Sequence, residues 1–210
     1  VMVVFIPLWG SFAAVEYLAF YVGETMPNSV AAQRQSAAPS LLWLPKIGGN
    51  KYIQFKLERL AVERPDILMM GSSRGTQVRG EIFKPYSFYN LSLTSWTFSA
   101  YTDILKHLPD SYAPKVILFN LDFFMFNSVW SEKNKSSHPI FLRDRSIDAH
   151  FLRLLNVVRT IYDQPSDLRL FLNMRERRYG AEALGITAVT RAAGFRKDGS
   201  LQYDESILKG

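Results

Sequence analysis

Residues 65–75 read PDILMMGSSRG, and this stretch decides the fold. The apolar run at 67–70 is short and ends at Gly71, which is typical of a buried strand of a parallel sheet. In an open α/β sheet, ligands bind beyond the carboxyl ends of the strands. We therefore predict that the polar residues after Gly71 lie at the edge of the sheet where a ligand would bind.

A helix is predicted before this strand, because apolar residues recur at helical spacing and Pro65 then ends the pattern. Its apolar positions are Ile53, Leu57, Leu60 and Ala61. The same periodicity places four charged residues on the other side of the helix, namely Lys56, Glu58, Arg59 and Glu63.

Two more strands are predicted at residues 88–91 and 116–121, with a helix between them. The helix is indicated by a stripe of apolar residues closed by Pro109: Phe98, Tyr101, Ile104, Leu105 and Leu108. A long aromatic loop should come next at 123–147, then helices near 151–162 and 167–177, and a turn toward a strand after Gly194. Strand, crossover and strand at these spacings predict an α/β fold with right-handed parallel units.

The N-terminal 22 residues carry one charge, on Glu16, and are long enough to cross a membrane. We predict a transmembrane anchor at 1–22, although a cleaved signal peptide or a buried amphipathic helix would also fit. Glycines and prolines then indicate a linker at 23–50. The α/β domain is predicted at 51–210. The chain starts inside an apolar run and stops without a closing signal, so we expect a fragment with an incomplete domain.

Composition excludes several classes of function. The 210 residues are 48% hydrophobic and contain no cysteine, which excludes disulfides and thiolate ligands. The three histidines are scattered, so no metal is expected, and no glycine-rich nucleotide loop is present. The net charge of +6 owes much to arginines at 143–178. Without a nucleic-acid motif, they indicate a solvated helical surface near anionic lipid or polymer.

Three segments together resemble the SGNH/GDSL hydrolase superfamily: GSSRG from Gly71, FYNLSLTSWT from Phe88 and KVILFNLDFF from Lys115. Their order is closest to a membrane-anchored envelope branch, that of the D-alanyl-lipoteichoic-acid biosynthesis D protein. The resemblance covers roughly residues 50–130. It implies a three-layer, flavodoxin-like parallel sheet with flanking helices, preceded by the anchor. It also places Ser73 at the position of the nucleophile.

The resemblance further implies an oxyanion hole, and here the chain departs from the family pattern. The second block falls on residues 90–95, beginning at Asn90, and Ser95 stands where the family has glycine. In the third block, Asp122 stands where asparagine is expected. A carboxylate there would repel an oxyanion instead of stabilising it.

Two neighbours of Asp122 offer other interpretations. Asn120 is an alternative hydrogen-bond donor, and strand alternation keeps it on the same side as Asp122. Arg74 is predicted to form an ion pair with Asp122, because the two residues come after neighbouring strands. That pair would be structural or would hold Ser73 in place.

The family supplies its catalytic base from a late Asp-x-x-His motif. His107, His138 and His150 do not match that motif, so we expect the base either beyond Gly210 or not at all. Three hypotheses are open. The first is a serine esterase or acyltransferase acting on acyl esters of an envelope glycan, lipid or teichoic-type polymer, without a cofactor. The second is an inactive binding or assembly subunit of an envelope-polymer pathway. The third is an ordinary α/β domain with a polar turn. The first two place the domain outside the cytoplasm, at the cell membrane.

Overall fold

The fold is a mixed α/β structure, as the sequence predicts. A computed structural model describes residues 10, 13–17, 19–38, 40–46, 51–95, 97–106, 108–134, 155, 159 and 183–204. The chain divides into two compact units, one of residues 1–49, 143–194 and 203–210, and one of residues 50–142 and 195–202. All six predicted site residues belong to the second unit.

The second unit contains a three-stranded parallel sheet. Its strands are β2 (Ile67–Gly71), β3 (Phe88–Asn90) and β4 (Val116–Asn120), in the order β3-β2-β4. The register pairs Ile67 with Phe88 on one side and Gly71 with Asn120 on the other. The three strands were predicted at these places, and their parallel pairing puts all three carboxyl ends at one edge of the sheet.

Two helices pack on one face of this sheet, α2 (Lys51–Glu63) and α3 (Phe98–Lys106). The core they form with the strands consists of Ile53, Leu60, Leu68, Met70, Tyr89, Leu91, Tyr101, Ile104, Tyr112 and Met125. The opposite face is covered by Phe83, in the 3₁₀ helix Gly80–Phe83, and by Val78, the C-cap residue of the 3₁₀ helix Ser73–Gln77. Glycines and a proline in this β2–β3 connection disfavour an α-helix there. In the part of the second unit that the structure describes, the expected flanking α-helices therefore pack on one face.

The prediction for the two faces of α2 is wrong at three positions. Lys56 and Arg59 are fully buried, whereas Ala61 is exposed. The cause is a hairpin distant in the sequence, formed by β6 (Gly194–Phe195) and β7 (Leu201–Gln202). Arg59 donates to the carbonyl oxygen of Lys197 in this hairpin at 3.2 Å and pairs with Glu63 at 2.6 Å.

The turn of the hairpin also packs against the end of β3. The amide of Asn90 donates to the carbonyl oxygen of Asp198 at 2.7 Å. Gly199 has φ +76° and approaches the Asn90 carbonyl so closely that a Cβ atom would collide with it. Glycine is needed at this position on both grounds.

The first unit contains α1 (Asn28–Ala37), β1 (Leu42–Trp43), β5 (Ala183–Leu184) and α5 (Ile186–Arg191). Strand β1 pairs with β5 in parallel. The segment predicted as a linker at 23–50 therefore contains a helix and a strand. Both elements are packed, since Ala31, Ala32 and Trp43 are buried. The grouping of 143–194 with 1–49 also differs from the predicted domain at 51–210.

Near the N-terminus, residues 13–17 and 19–21 are helical. Within the described residues, no helix has the length and apolar character needed to cross a membrane. Residues 1–9, 11, 12 and 18 of the predicted anchor lie outside that set. The predicted loop at 123–147 begins with the 3₁₀ helix Phe123–Phe126 and with α4 (Ser128–Asn134). Apart from residues 155 and 159, which are helical, the predicted helices at 151–162 and 167–177 also lie outside the described residues.

Candidate functional site

The turn after β2 separates the two neighbouring serines. Ser72 is the N-cap of the 3₁₀ helix Ser73–Gln77, and its hydroxyl oxygen accepts a hydrogen bond from the Arg74 amide at 3.3 Å. Ser72 is 2% exposed. Ser73 is exposed, and its hydroxyl makes no hydrogen bond with any other described residue. Of the two serines, Ser73 is therefore the one whose side chain is accessible to a ligand.

This turn is held by the chain that leaves β3. The amide of Leu93 donates to the carbonyl oxygens of Gly71 at 2.8 Å and of Ser72 at 3.2 Å. Leu93 has φ +75°, a left-handed conformation that non-glycine residues seldom adopt. We call residues 90–93 the support loop, because its backbone and side chains fix the turn that carries Ser73.

Asn90 provides the second attachment of the turn. Its side-chain amide donates to the carbonyl oxygens of Gly75 and Val78, both at 2.8 Å, and its side-chain oxygen accepts from the Ser92 amide at 2.9 Å. The residue is fully buried. Both N–H groups of this amide are thus used inside the protein, so Asn90 is a scaffold residue.

Ser95 is also buried, with its hydroxyl oxygen 3.3 Å from that of Thr94. Thr94 in turn donates to the carbonyl oxygen of Leu91 at 2.6 Å. Among the described contacts, it is Leu93 and not Ser95 that reaches the Ser73 turn. The segment at 90–95 thus contacts the Ser73 turn through Leu93, which lies two residues before the predicted position at Ser95.

Asn120 lies beside the same turn, opposite Gly71 in the sheet register. A Cβ atom at Gly75 would be 3.2 Å from the Asn120 side-chain nitrogen and would collide with the Ser92 hydroxyl. This nitrogen and the Ser92 hydroxyl are buried and have no hydrogen-bond partner among the described residues. Gly75 therefore provides the space in which the three strand ends approach one another.

The predicted ion pair between Arg74 and Asp122 is confirmed, with a shortest distance of 3.4 Å. Asp122 is 4% exposed, whereas the Arg74 side chain is 64% exposed and its guanidinium lies 5.7 Å from the centre of the Phe123 ring. Asp122 is the N-cap residue of the Phe123–Phe126 helix but makes no capping bond through its side chain. Its second carboxylate oxygen is buried without a partner among the described residues.

Tyr101 lies close to this carboxylate and donates to the carbonyl oxygen of Asn120 at 2.9 Å. Burial, and to a lesser extent the charge of Asp122, raises the pKa of Tyr101 to about 12. The phenol is therefore protonated at neutral pH. The negative charge beside the Ser73 turn is thus balanced chiefly by Arg74.

The buried environment of Lys56 was not predicted from the sequence, which placed this residue on the charged side of α2. Its ammonium group donates to the carbonyl oxygens of Asn90 at 3.0 Å and of Ser92 at 2.6 Å, and lies 4.4 Å from the centre of the Phe195 ring. Burial lowers the pKa of Lys56 to about 7, against the opposing effect of Asp198. A lysine at a helical position that would otherwise be solvated gives no local signal of such an environment.

The catalytic base stays a prediction: none of the three histidines matches the expected motif, and His107, His138 and His150 lie outside the described residues. Over the described part of the chain, no group of three or more histidine, aspartate or glutamate residues could hold a metal ion. No family model, curated protein or solved structure matches this chain. A functional assignment therefore depends on the arrangement of residues around Ser73.

Proposed function

We propose that this protein is a serine esterase or acyltransferase of the SGNH type, which acts on acyl esters of cell-envelope polymers at the membrane. The observation that carries the proposal is the exposed hydroxyl of Ser73, two residues beyond the central strand of a parallel sheet. The strand order β3-β2-β4 is the order of the first three strands in flavodoxin-like sheets. In such sheets the crevice between the first and third strands binds the ligand, and here those strands end next to Ser73 and Asp122.

The reaction uses a positioned hydroxyl. The Ser73 oxygen attacks the acyl carbon, the ester C–O bond breaks, and the released alcohol takes a proton as the acyl-enzyme forms. Water or a second alcohol then attacks the acyl-enzyme and regenerates Ser73. A base for the Ser73 proton belongs to the proposal and would come from residues outside those described.

A fluorophosphonate probe tests the proposal, and Ser72 provides a matched control. Ser73→Ala should abolish labelling, because the attacking oxygen is lost. Ser72→Ala removes a buried capping hydroxyl one residue away and should retain labelling of the folded fraction. Intact-mass analysis of the two variants and the parent, all as full chains, gives the result. Labelling of Ser73→Ala at the parent rate would refute the nucleophile.

The alternative is a non-catalytic binding or assembly subunit of an envelope-polymer pathway. It is favoured by one observation, the carboxylate of Asp122 next to the turn, since a negative charge opposes a developing oxyanion. Asp122→Asn distinguishes the two. In an enzyme this isosteric change should raise the rate of probe labelling about tenfold, which corresponds to about 1.4 kcal/mol. If the protein is a binding subunit, the probe should label neither the parent nor Asp122→Asn, while the parent still binds acylated polymer.

The membrane anchor at 1–22 and the position of the domain outside the cytoplasm are part of the same proposal. The anchor is supported by the length and apolar character of that segment. Expression of the chain in cells and then alkaline carbonate extraction test the anchor. Protein that stays in the pellet supports it, whereas extraction into the supernatant contradicts it.

A further inference from the structure

We propose that Lys56 is a positioning residue, whose buried ammonium group holds the support loop at 90–93 and thereby fixes the turn that presents Ser73. Lys56 touches neither the hydroxyl of Ser73 nor any residue of the 71–78 turn in the described contacts, so it would act through the loop. Its effect on acyl transfer rests on the proposed function, but its effect on the geometry of the turn does not.

The first step is the environment of the ammonium group. An uncompensated buried charge is costly, so its partners decide whether a lysine can lie there. Lys56 has two carbonyl oxygens as acceptors, at 3.0 Å and 2.6 Å, and the face of the Phe195 ring near its third side. These three groups compensate part of the cost of burying the charge, and burial still lowers the pKa of Lys56.

The second step is what those acceptors do. Asn90 and Ser92 lie on either side of Leu91, where the chain leaves the sheet, and their carbonyl oxygens would otherwise be buried without donors. Lys56 binds both at once and so fixes the direction of the backbone between them. The backbone then enters the left-handed conformation of Leu93, which has φ +75°. Such a conformation persists only when its surroundings determine it.

The third step connects the support loop with the serine. The Leu93 amide donates to the carbonyl oxygens of Gly71 and Ser72, and the Asn90 side chain donates to those of Gly75 and Val78. These bonds lie on both sides of Ser73 along the chain. Lys56 thus fixes the support loop, the support loop fixes the turn, and the turn determines the position of the Ser73 hydroxyl.

A cysteine reporter tests this geometry without any need for enzymatic activity. The chain has no cysteine, so Ser73→Cys introduces a single thiol at the exposed position. In that background, Lys56→Met replaces the buried ammonium with an apolar chain of similar length. The control, Lys106→Met, removes an exposed lysine from α3.

Two measurements on the full chain decide the result. The first is amide hydrogen exchange, in which Lys56→Met should reduce the protection of Leu93 at least tenfold more than that of Leu118, in β4. The second is the rate of thiol alkylation by iodoacetamide, measured as a function of pH. Lys56→Met should change this rate at least threefold at pH 7. Lys106→Met should change neither. Equal loss of protection at Leu93 and Leu118, or an unchanged thiol, would overturn the proposal.

If Lys56→Met does not fold, Lys56→Gln takes its place, because its side-chain amide keeps two donors on a shorter chain. It should show the same selective loss at Leu93 to a smaller extent. A final comparison uses the native serine, where Lys56→Met should slow fluorophosphonate labelling of the folded protein at least tenfold. If the parent is not labelled, the proposed function fails, while the exchange and thiol results still decide the role of Lys56.

Discussion

Two turns at the same edge of the sheet begin alike and are stabilised differently. Each is a 3₁₀ helix that comes after a strand, Ser73–Gln77 after β2 and Phe123–Phe126 after β4, and each has a residue suited to N-capping. Ser72 forms its capping bond. Asp122 does not, and its side chain is directed toward Arg74 instead.

The first turn is also the more firmly held by its surroundings. The first is held by Leu93 and Asn90, whereas the second exposes Phe123 to 76% and Phe126 to 69%. A reactive group needs a fixed position, which supporting contacts of this kind provide. The comparison indicates that the first turn determines the position of Ser73, whereas the second turn leaves two aromatic side chains exposed. Substitutions in and around each turn test that difference.

The largest effect is expected from two asparagines, one for each turn. Asn90→Ala removes a fully buried side chain with three hydrogen bonds and should lower the free energy of unfolding by about 3 kcal/mol. Asn127, the C-cap residue of the second turn, has an exposed side chain that accepts from the Val129 and Trp130 amides of α4, and Asn127→Ala should cost about 0.5–1 kcal/mol. Urea unfolding measures both. Similar values for the two variants would contradict a difference between the turns.

Next in size is the effect of filling the space at Gly75. In Gly75→Ala the new Cβ would collide with the Ser92 hydroxyl and lie 2.8 Å from the Met69 methyl group, so we expect a loss of about 2 kcal/mol. Gly80→Ala is the control, because its Cβ would meet only ordinary contacts of 3.4 Å and beyond. Thermal unfolding should leave Gly80→Ala within about 0.5 kcal/mol of the parent. A parent-like Gly75→Ala would mean that the strand ends do not pack as described.

The same contrast explains how far the sequence predicts this molecule. Strands β2, β3 and β4 were predicted from short, mainly apolar segments, and helix α3 was predicted from a stripe of apolar residues at helical spacing. The Arg74–Asp122 pair was predicted because the two strands end at one edge. These inferences need only local pattern and the parallel rule.

The features that the sequence did not predict depend on distant contacts. Arg59 is buried by a residue 138 positions away in the chain, and Lys56 lies beneath the same hairpin. The use of Leu93 in place of Ser95 depends on the backbone conformation of the support loop, which residue types alone do not give. Helix α1 was missed because small buried residues such as Ala31 and Ala32 resemble a linker in composition.

A smaller effect is expected from pH, through Lys56. Its pKa in the folded protein is lowered to about 7 from 10.5, so between these values the unfolded chain binds a proton that the folded chain has lost. Stability should therefore rise with pH from about 7, with a slope of at most about 1.4 kcal/mol per pH unit. Asp198 is the carboxylate that opposes this shift.

Urea unfolding at pH 7 to 9.5 measures this slope, and Lys56→Met should flatten it. The upper limit matters because burial raises the pKa values of Tyr101 and Tyr112 to about 12. Stability from those phenols is lost above pH 10, which would hide the effect of Lys56. A slope that persists unchanged in Lys56→Met would assign it to another group.

The smallest effect is expected for the ion pair that joins the two turns. Arg74 is largely exposed and lies 3.4 Å from Asp122, so solvent screens the attraction even though the carboxylate is buried. A double-mutant cycle with Arg74→Ala and Asp122→Asn, measured by urea unfolding, should give a coupling energy of about 0.5 kcal/mol, reduced further in 1 M salt. Coupling above about 2 kcal/mol would show that the second turn is fixed as firmly as the first. In that case Asp122, whose second oxygen has no partner among the described residues, would be part of the scaffold.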